Sequence, residues 1–291
     1  MFFISSDAQL RQFIPNALVT VEGEKSLFDK VTPFLEASEE WITQTFIPEP
    51  ALQEIISQER QPFLRLLTKV VANDAFLHAV PSLDLVLTPN GFGIVSNQNI
   101  APASKERVDR LLASLENERD NAIEMLLPRL PLLTDWQQSP QGQYFAATLF
   151  PNLSLCRRLA IRQHLWAEYQ ALHDRLIKIE NTLAETYFSQ EQMSVFRDKS
   201  LHLLTNCHPL EVQVIRSLQS LELEILTADH INSSPSGDKR GAPCFVQSFF
   251  DLVNTIRENE SVFPEWHSSA TAELYTPSVF VNKKRSGGYW F

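Results

Sequence analysis

SLFDKVTPFLEASEEWITQTF, residues 26–46, decides the fold class. Phe28, Val31, Leu35, Ile42 and Phe46 recur at spacings of three, four or seven. Lys30, Glu36, Glu39 and Glu40 fall mostly on the other side, so the stretch reads as an amphipathic helix. Pro33 lies inside it, which implies either a start near Thr32 or a kink. The same period governs most of the text on both sides.

Downstream, Pro48 and Pro50 end that helix, and Pro50 can open a short one carrying Leu52, Ile55 and Ile56. A further helix is predicted from Pro62 to about His78. There the period changes to two. Leu83–Thr88 and Phe92–Asn97 flank Pro89-Asn90-Gly91, and Asn-Gly between two β-prone runs is the strongest short-range hairpin signal. A two-stranded ribbon is marginal alone, so it must pack on helices or pair with another strand. Ser104 reads as the N-cap of a helix that continues to Pro128. Pro131, Pro140, Gly142 and Pro151 then break the pattern. Helices are predicted over about 161–186, 190–205, 209–228 and 245–258, with a polar loop at 233–241 and an irregular tail from Ala272, including a strand at Val279–Asn282. The expected architecture is mainly α: helical bundles with one small hairpin at 83–97. Residues 1–130 form an N-terminal repeat, 131–151 a linker, and 152–291 a C-terminal repeat with a flexible aromatic tail.

The two halves come into partial register at a shift of 141. Phe28 meets Tyr169, Leu35 meets Leu176, Glu39 meets Glu180, and Thr45-Phe46-Ile47 meets Thr186-Tyr187-Phe188. The same shift sets Ala101-Pro102 on Ala242-Pro243, Leu111 on Leu252 and Leu115 on Ile256. Between these blocks, Gln61-Pro62 meets His208-Pro209 only with about six extra residues in the second half, and the hairpin has no clear counterpart there. The pattern is that of two tandem α-rich pseudo-repeats.

Composition narrows the function. Eight glycines in 291 residues disfavour a β-propeller or a fold built on several Gly-rich loops. The net charge of −10 opposes the positive field that nonspecific nucleic-acid binding requires. Three well-separated cysteines (Cys156, Cys207, Cys244) read as reduced thiols in a cytoplasmic setting. Met1–Ile4 is too short for a signal-peptide core, and no apolar run approaches the roughly 18 residues that span a bilayer. No membrane role is expected.

Catalytic and metal signatures are missing. No Glu-x-x-His, His-Glu-x-x-His, Cys-x-x-Cys or Gly-x-Ser-x-Gly occurs. His202, Cys207 and His208 make the single soft-ligand cluster, better read as a polar helix end. Gly91-Phe92-Gly93 lacks a third glycine before a helix, and Gly237–Gly241 reads as a solvated loop. Carboxylate pairs at Glu39-Glu40 and Glu222/Glu224 read as exposed surface, and Phe34, Phe63, Phe76, Phe249 and Phe250 as core. No catalytic residue, cofactor or metal is assigned. Tyr289, Trp290 and Phe291 follow the basic run Lys283-Lys284-Arg285 at the C-terminus. They must either pack on their own domain or dock on a neighbour. With Asn90, Gly91 and Phe92 at the hairpin tip, they are the candidate partner-binding residues.

Leu85–Asn97, followed by Ala101-Pro102-Ala103-Ser104-Lys105-Glu106-Arg107, resembles an uncharacterised protein family of Bacteroides-type genomes, their phages and prophages, encoded near virion structural genes. Leu35–Ile42 is similar to the first helix of small helical head–tail connector proteins. The second half departs from that likeness, with Thr182 where a Trp would be expected. The resemblance implies a non-enzymatic virion structural or assembly protein, a connector-like neck component. Its partners would be other protein subunits, self or virion, in the host cytoplasm or the virion, with no specific nucleic-acid binding. An enzyme with a dispersed carboxylate site and a helical regulatory binding module are the alternatives.

Overall fold

The computed structural model describes residues 3–13, 26–83, 85–88, 91–94, 104–233 and 245–275; side chains are described outside the two strands and residues 229–233. Helix α1 spans Asp7–Phe13, α2 Leu27–Thr45, α3 Glu49–Ser57 and α4 Gln61–Leu83. Strands β1 (Leu85–Thr88) and β2 (Gly91–Ile94) follow, then α5 (Lys105–Leu126). Next come α6 (Pro140–Ala146), α7 (Ser154–Arg158), α8 (Leu165–Leu183), α9 (Gln190–Leu201) and α10 (Pro209–Ser233). Helices α11 (Phe245–Arg257), α12 (Pro264–His267) and α13 (Ala270–Tyr275) complete the order. The chain is mainly α.

Local chemistry sets the helix ends. The Ser26 Oγ accepts from the Asp29 N–H at 3.1 Å, so α2 opens at Leu27 and carries Pro33 in its interior instead of starting near Thr32. Helix α4 runs through Pro81 and takes in Leu83, which the alternating pattern had placed on a strand. β1 and β2 pair antiparallel, Leu85 with Ile94 and Thr88 with Gly91. Gly91 is therefore the first residue of β2, not part of the turn. Helix α13 extends order past Ala272, where the tail was expected to begin. The strand expected at Val279–Asn282 and the aromatic tail lie outside the described residues, as does the polar loop expected at 233–241 apart from Ser233, which ends α10.

The chain divides into two compact units, Met1–Ile177 with Arg197–Thr205, and Lys178–Phe196 with Asn206–Phe291. The expected linker at 131–151 is not one. Two 3-10 turns, Leu127–Leu132 and Trp136–Gln138, lead into α6. Leu130, Leu133, Trp136, Phe145, Leu149 and Phe150 of this stretch are buried in the first unit. Pro140 is the first residue of α6, where its missing N–H is not needed, and Pro131 lies within the first 3-10 turn.

Within each unit the same contacts recur. Trp136 Nε1–H donates to the Phe46 carbonyl at 2.6 Å, and Trp266 Nε1–H to the Tyr187 carbonyl at 2.9 Å. Ser139 and Ser269 each donate Oγ–H to the carbonyl of their own Trp at 2.6 Å. The Gly142 and Ala272 N–H groups then donate to those hydroxyls at 3.1 and 3.3 Å. Helix α2 ends in a wide turn, Ile47 N–H to Ile42 carbonyl, and α8 runs into a π turn at Ala184–Phe188. Buried positions keep the shift of 141 through Leu52/Met193 and Ile55/Phe196. In α4 and α10 the match is 148, which sets Asp74 on Glu222, both buried. From α5 onward it is 130: Ile123/Val253, Leu126/Ile256, Leu133/Phe263 and Trp136/Trp266. Leu252 and Ile256 thus correspond to Ala122 and Leu126, not to Leu111 and Leu115. The hairpin and the first half of α5 have no described counterpart in the second unit.

Candidate functional site

A cleft of about 370 Å³ opens in the first unit between α2, α4, α5 and α8. The helical period puts Phe34, Ala37, Ser38 and Trp41 on one stripe of α2. Asp74 and His78 of α4, Arg119 of α5 and Trp166 of α8 close it. Trp41 meets Trp166 edge-on at 6.3 Å and Phe46 at 5.2 Å, while Phe46 lies 4.8 Å from Trp166. These rings form rigid apolar walls.

The floor is a buried ion network. Arg119 donates from Nε and Nη2 to Asp120 Oδ1 at 3.0 and 2.9 Å, and from Nη1 to Asp74 Oδ1 at 3.2 Å. Its guanidinium carbon lies 5.9 Å from the Trp41 ring centroid. Ser38 Oγ–H donates to Asp74 Oδ2 at 2.7 Å, and the Trp166 N–H to Asp120 Oδ2 at 3.3 Å. Burial pushes the Asp120 carboxyl above the usual range, against the pull of Arg119. At the edge, His164 Nδ1 lies 2.8 Å from Glu116 Oε2, and that hydrogen bond raises the imidazole pKa.

Ser38, Asp74 and His78 have the residue types of a hydrolytic triad in the wrong order. The carboxylate sits between serine and histidine, and the serine hydroxyl donates its hydrogen bond to Asp74. His78 Nδ1 approaches the Asp74 main-chain carbonyl at 2.8 Å, which requires it to be the N–H donor. The serine hydroxyl thus has Asp74, not the imidazole, as its hydrogen-bond partner. What remains is a preorganised slot with apolar walls, and its deepest polar groups bond one another.

The other candidates fall elsewhere. Tyr289, Trp290, Phe291 and Asn90 lie outside the described residues; Gly91 and Phe92 open β2. His202 sits 3.7 Å from Asp198, His208 Nδ1 accepts from the Leu210 N–H, and among the described residues no three His, Cys, Asp or Glu side chains gather as a metal site. Glu39 and Glu222, read as surface, are buried; Glu39 accepts from the Phe3 N–H at 3.1 Å. Phe250, read as core, is 40% exposed, beside exposed Val246 on α11. A second groove, about 620 Å³, runs along α10 and α11 past Arg216, Leu221, Asp251 and Leu252.

The sequence reading did not single out Asp74, Arg119 or Trp166. One signal was available: Asp74 interrupts the apolar run Val70–Phe76, and a carboxylate buried there demands a cation.

Residues 16–146 match a family of unknown function, DUF6712. The matched span holds every cleft residue except Trp166, the hairpin, and the Trp136–Ser139 turn. No curated protein and no solved structure matches the chain.

Proposed function

We propose that this chain is a non-enzymatic assembly protein of a phage or prophage virion, a neck component of the head–tail connector kind, whose work is done through contacts with other protein subunits. One observation carries the reading. From Ser104 to Ser114 no residue of the α5 region is buried, and this helix half comes after a two-stranded ribbon that has no third strand among the described residues. A segment built this way adds little to its own core and is suited to a partner. The resemblance of Leu85–Arg107 to the virion-associated family falls on the same segment. The charge of −10 suits the wall of a passage through which DNA must move without sticking. Among the described residues no helix is long and apolar enough to cross a membrane, which fits assembly in the host cytoplasm followed by residence in the virion.

The test is native mass spectrometry and electron microscopy of the full chain, alone and with co-expressed portal and neck proteins of the same virion. Ring-shaped or defined multimeric particles are expected. A chain that stays apart from all of them, and instead turns over a small substrate with a rate abolished by Asp74→Asn, would overturn the reading in favour of an enzyme.

A further inference from the structure

We infer that a second copy of this chain lays the first half of its α2 on the second unit, over Tyr187, Val246, Phe250, Leu274 and Tyr275, in the way that α8 opens on the first unit. The inference rests on the assembly reading and names the contact through which copies join.

The first unit shows such a contact complete. Helix α8 begins in that unit and belongs to it through Ile177. Its opening turns bring three rings onto the unit's aromatic surface. Trp166 lies 4.8 Å from Phe46, Tyr169 lies 6.2 Å from Phe145, and His173 stacks at 4.2 Å on Tyr144. Two carboxylates fasten the start of the helix: Asp120 accepts from the Trp166 N–H, and Glu116 pairs with His164. Trp166, Tyr169 and His173 are all buried.

The second unit carries the matching surface in the open. The shifts of 141 and 130 set Phe46 on Tyr187, Tyr144 on Leu274, Phe145 on Tyr275, Glu116 on Val246 and Asp120 on Phe250. The support beneath is the same: Trp136 lies 6.2 Å from Phe145, and Trp266 lies 6.2 Å from Tyr275. Burial differs. Phe46 and Phe145 are fully buried, whereas Tyr187 and Tyr275 are half-buried. Val246 is 50% exposed, Phe250 40% and Leu274 78%. Among the described residues of the second unit no other large apolar side chain is so exposed, and all three are counterparts of groups that meet the start of α8. An apolar face of this kind on a terminal repeat calls for a cap or a neighbour. Apolar Val246 and Phe250 stand where the two fastening carboxylates stood. That suits a contact between separate chains, because no charge has to be desolvated to form it.

The same correspondence selects the occupant. At the shift of 141, α8 is the second repeat's version of α2, so Tyr169 meets Phe28 and His173 meets Thr32. Val31 and Leu35 are buried like their counterparts Leu172 and Leu176. Phe28 and Thr32 are only half-buried, unlike Tyr169 and His173. The stripe that α8 uses on the first unit is thus partly open on α2, and the surface suited to receive it is open on the second unit. Each copy offers one stripe and one surface. The contact is heterologous, extends the array copy by copy, and builds a ring where the rotation closes.

His173 faces Tyr144, so Thr32 of one copy should face Leu274 of the next. Both positions are at least half-exposed, and Leu274→Asp and Thr32→Arg test the contact from its two sides. Full chains are compared by circular dichroism, to verify folding, and by sedimentation and native mass at high micromolar concentration. The wild type should self-associate, and each single variant should do so about 30-fold more weakly, the loss of one anchor. A chain carrying both substitutions should regain most of that loss, because the two new charges then meet. A monomeric wild type, undiminished association of either folded single variant, or a double variant no better than the weaker single would overturn the inference. So would a wild type that associates only once residues 276–291 are removed, since the segment following Tyr275 would then be the cover. A monomer still captured by portal and neck proteins, or multimers that persist in both variants, would leave the assembly reading standing on another interface. A chain that neither self-associates nor joins those proteins would remove that reading itself.

Discussion

Trp136 and Trp266 each fill a core and spend their one polar group on a main-chain carbonyl. Replacing Trp136 by Phe keeps most of the apolar volume but leaves the Phe46 carbonyl without that donor, so a loss of about 1–3 kcal/mol is expected in denaturant unfolding. A change below a few tenths would mean that water replaces the bond. Arg119 is a harsher case. Arg119→Ala strands Asp74 and Asp120 as buried carboxylates, and unfolding free energy should fall by about 3–5 kcal/mol; a loss near that of an ordinary surface substitution would show that the network is not buried in solution. His173 gives a pH signature. It is fully buried, stacked at 4.2 Å on Tyr144, and burial lowers its pKa from 6.5. The unfolded chain then takes a proton at a higher pH than the folded chain. Stability should fall as pH drops below about 6.5 through the folded value. His173→Phe should flatten that limb, and an unchanged pH profile would assign it to other groups. Neither tryptophan is assigned to the core by sequence, and no local pattern announces which carbonyl a Trp will reach.

Periodicity found the helices, and its limits explain the element-scale errors. The later match between the units was read at a shift of 141 and is found at 130. Those differ by eleven residues, close to three turns at 3.6 residues per turn, so the apolar stripe stays aligned and cannot distinguish them. The hydrogen bonds of Trp136 and Trp266 can. The prolines of 131–151 read as separators, yet Leu130, Leu133, Trp136 and Phe145 around them are core residues. The cleft was half legible: Trp41 and Ser38 lie on a clear α2 stripe, but its closure by α5 and α8 depends on tertiary packing. Helix α6 offers a sharp test. A Cβ on Gly142 would overlap the Trp136 carbonyl oxygen, yet Ala272 occupies the corresponding place in the second unit. Glycine to alanine in a helix normally stabilises by about 0.4–1 kcal/mol where there is room. Gly142→Ala should instead cost about 1–3 kcal/mol by overpacking, read as a lowered denaturant midpoint. A raised midpoint would mean that the Trp136 turn can relax to the spacing seen at Trp266.

At the scale of the whole molecule the governing quantity is charge. Lys and Arg total 25 against 35 Asp and Glu. Duplex DNA binds proteins largely through phosphate neutralisation, with affinity falling steeply as salt rises. A chain at −10 therefore meets DNA with net repulsion, and the one run of three adjacent cations, Lys283-Lys284-Arg285, lies next to the three terminal aromatics. Such a run could still recruit DNA locally, since a few cations suffice at low salt. The full chain should leave a random duplex unshifted in a mobility assay at about 0.15 M salt, and removing residues 283–291 should change nothing. A weak shift near 0.01 M salt, lost on truncation, is compatible with this, because screening is then minimal. A shift that survives at 0.15 M and disappears on truncation would make the tail a DNA-binding element. The acidic charge would then no longer argue for a passage that DNA crosses without sticking.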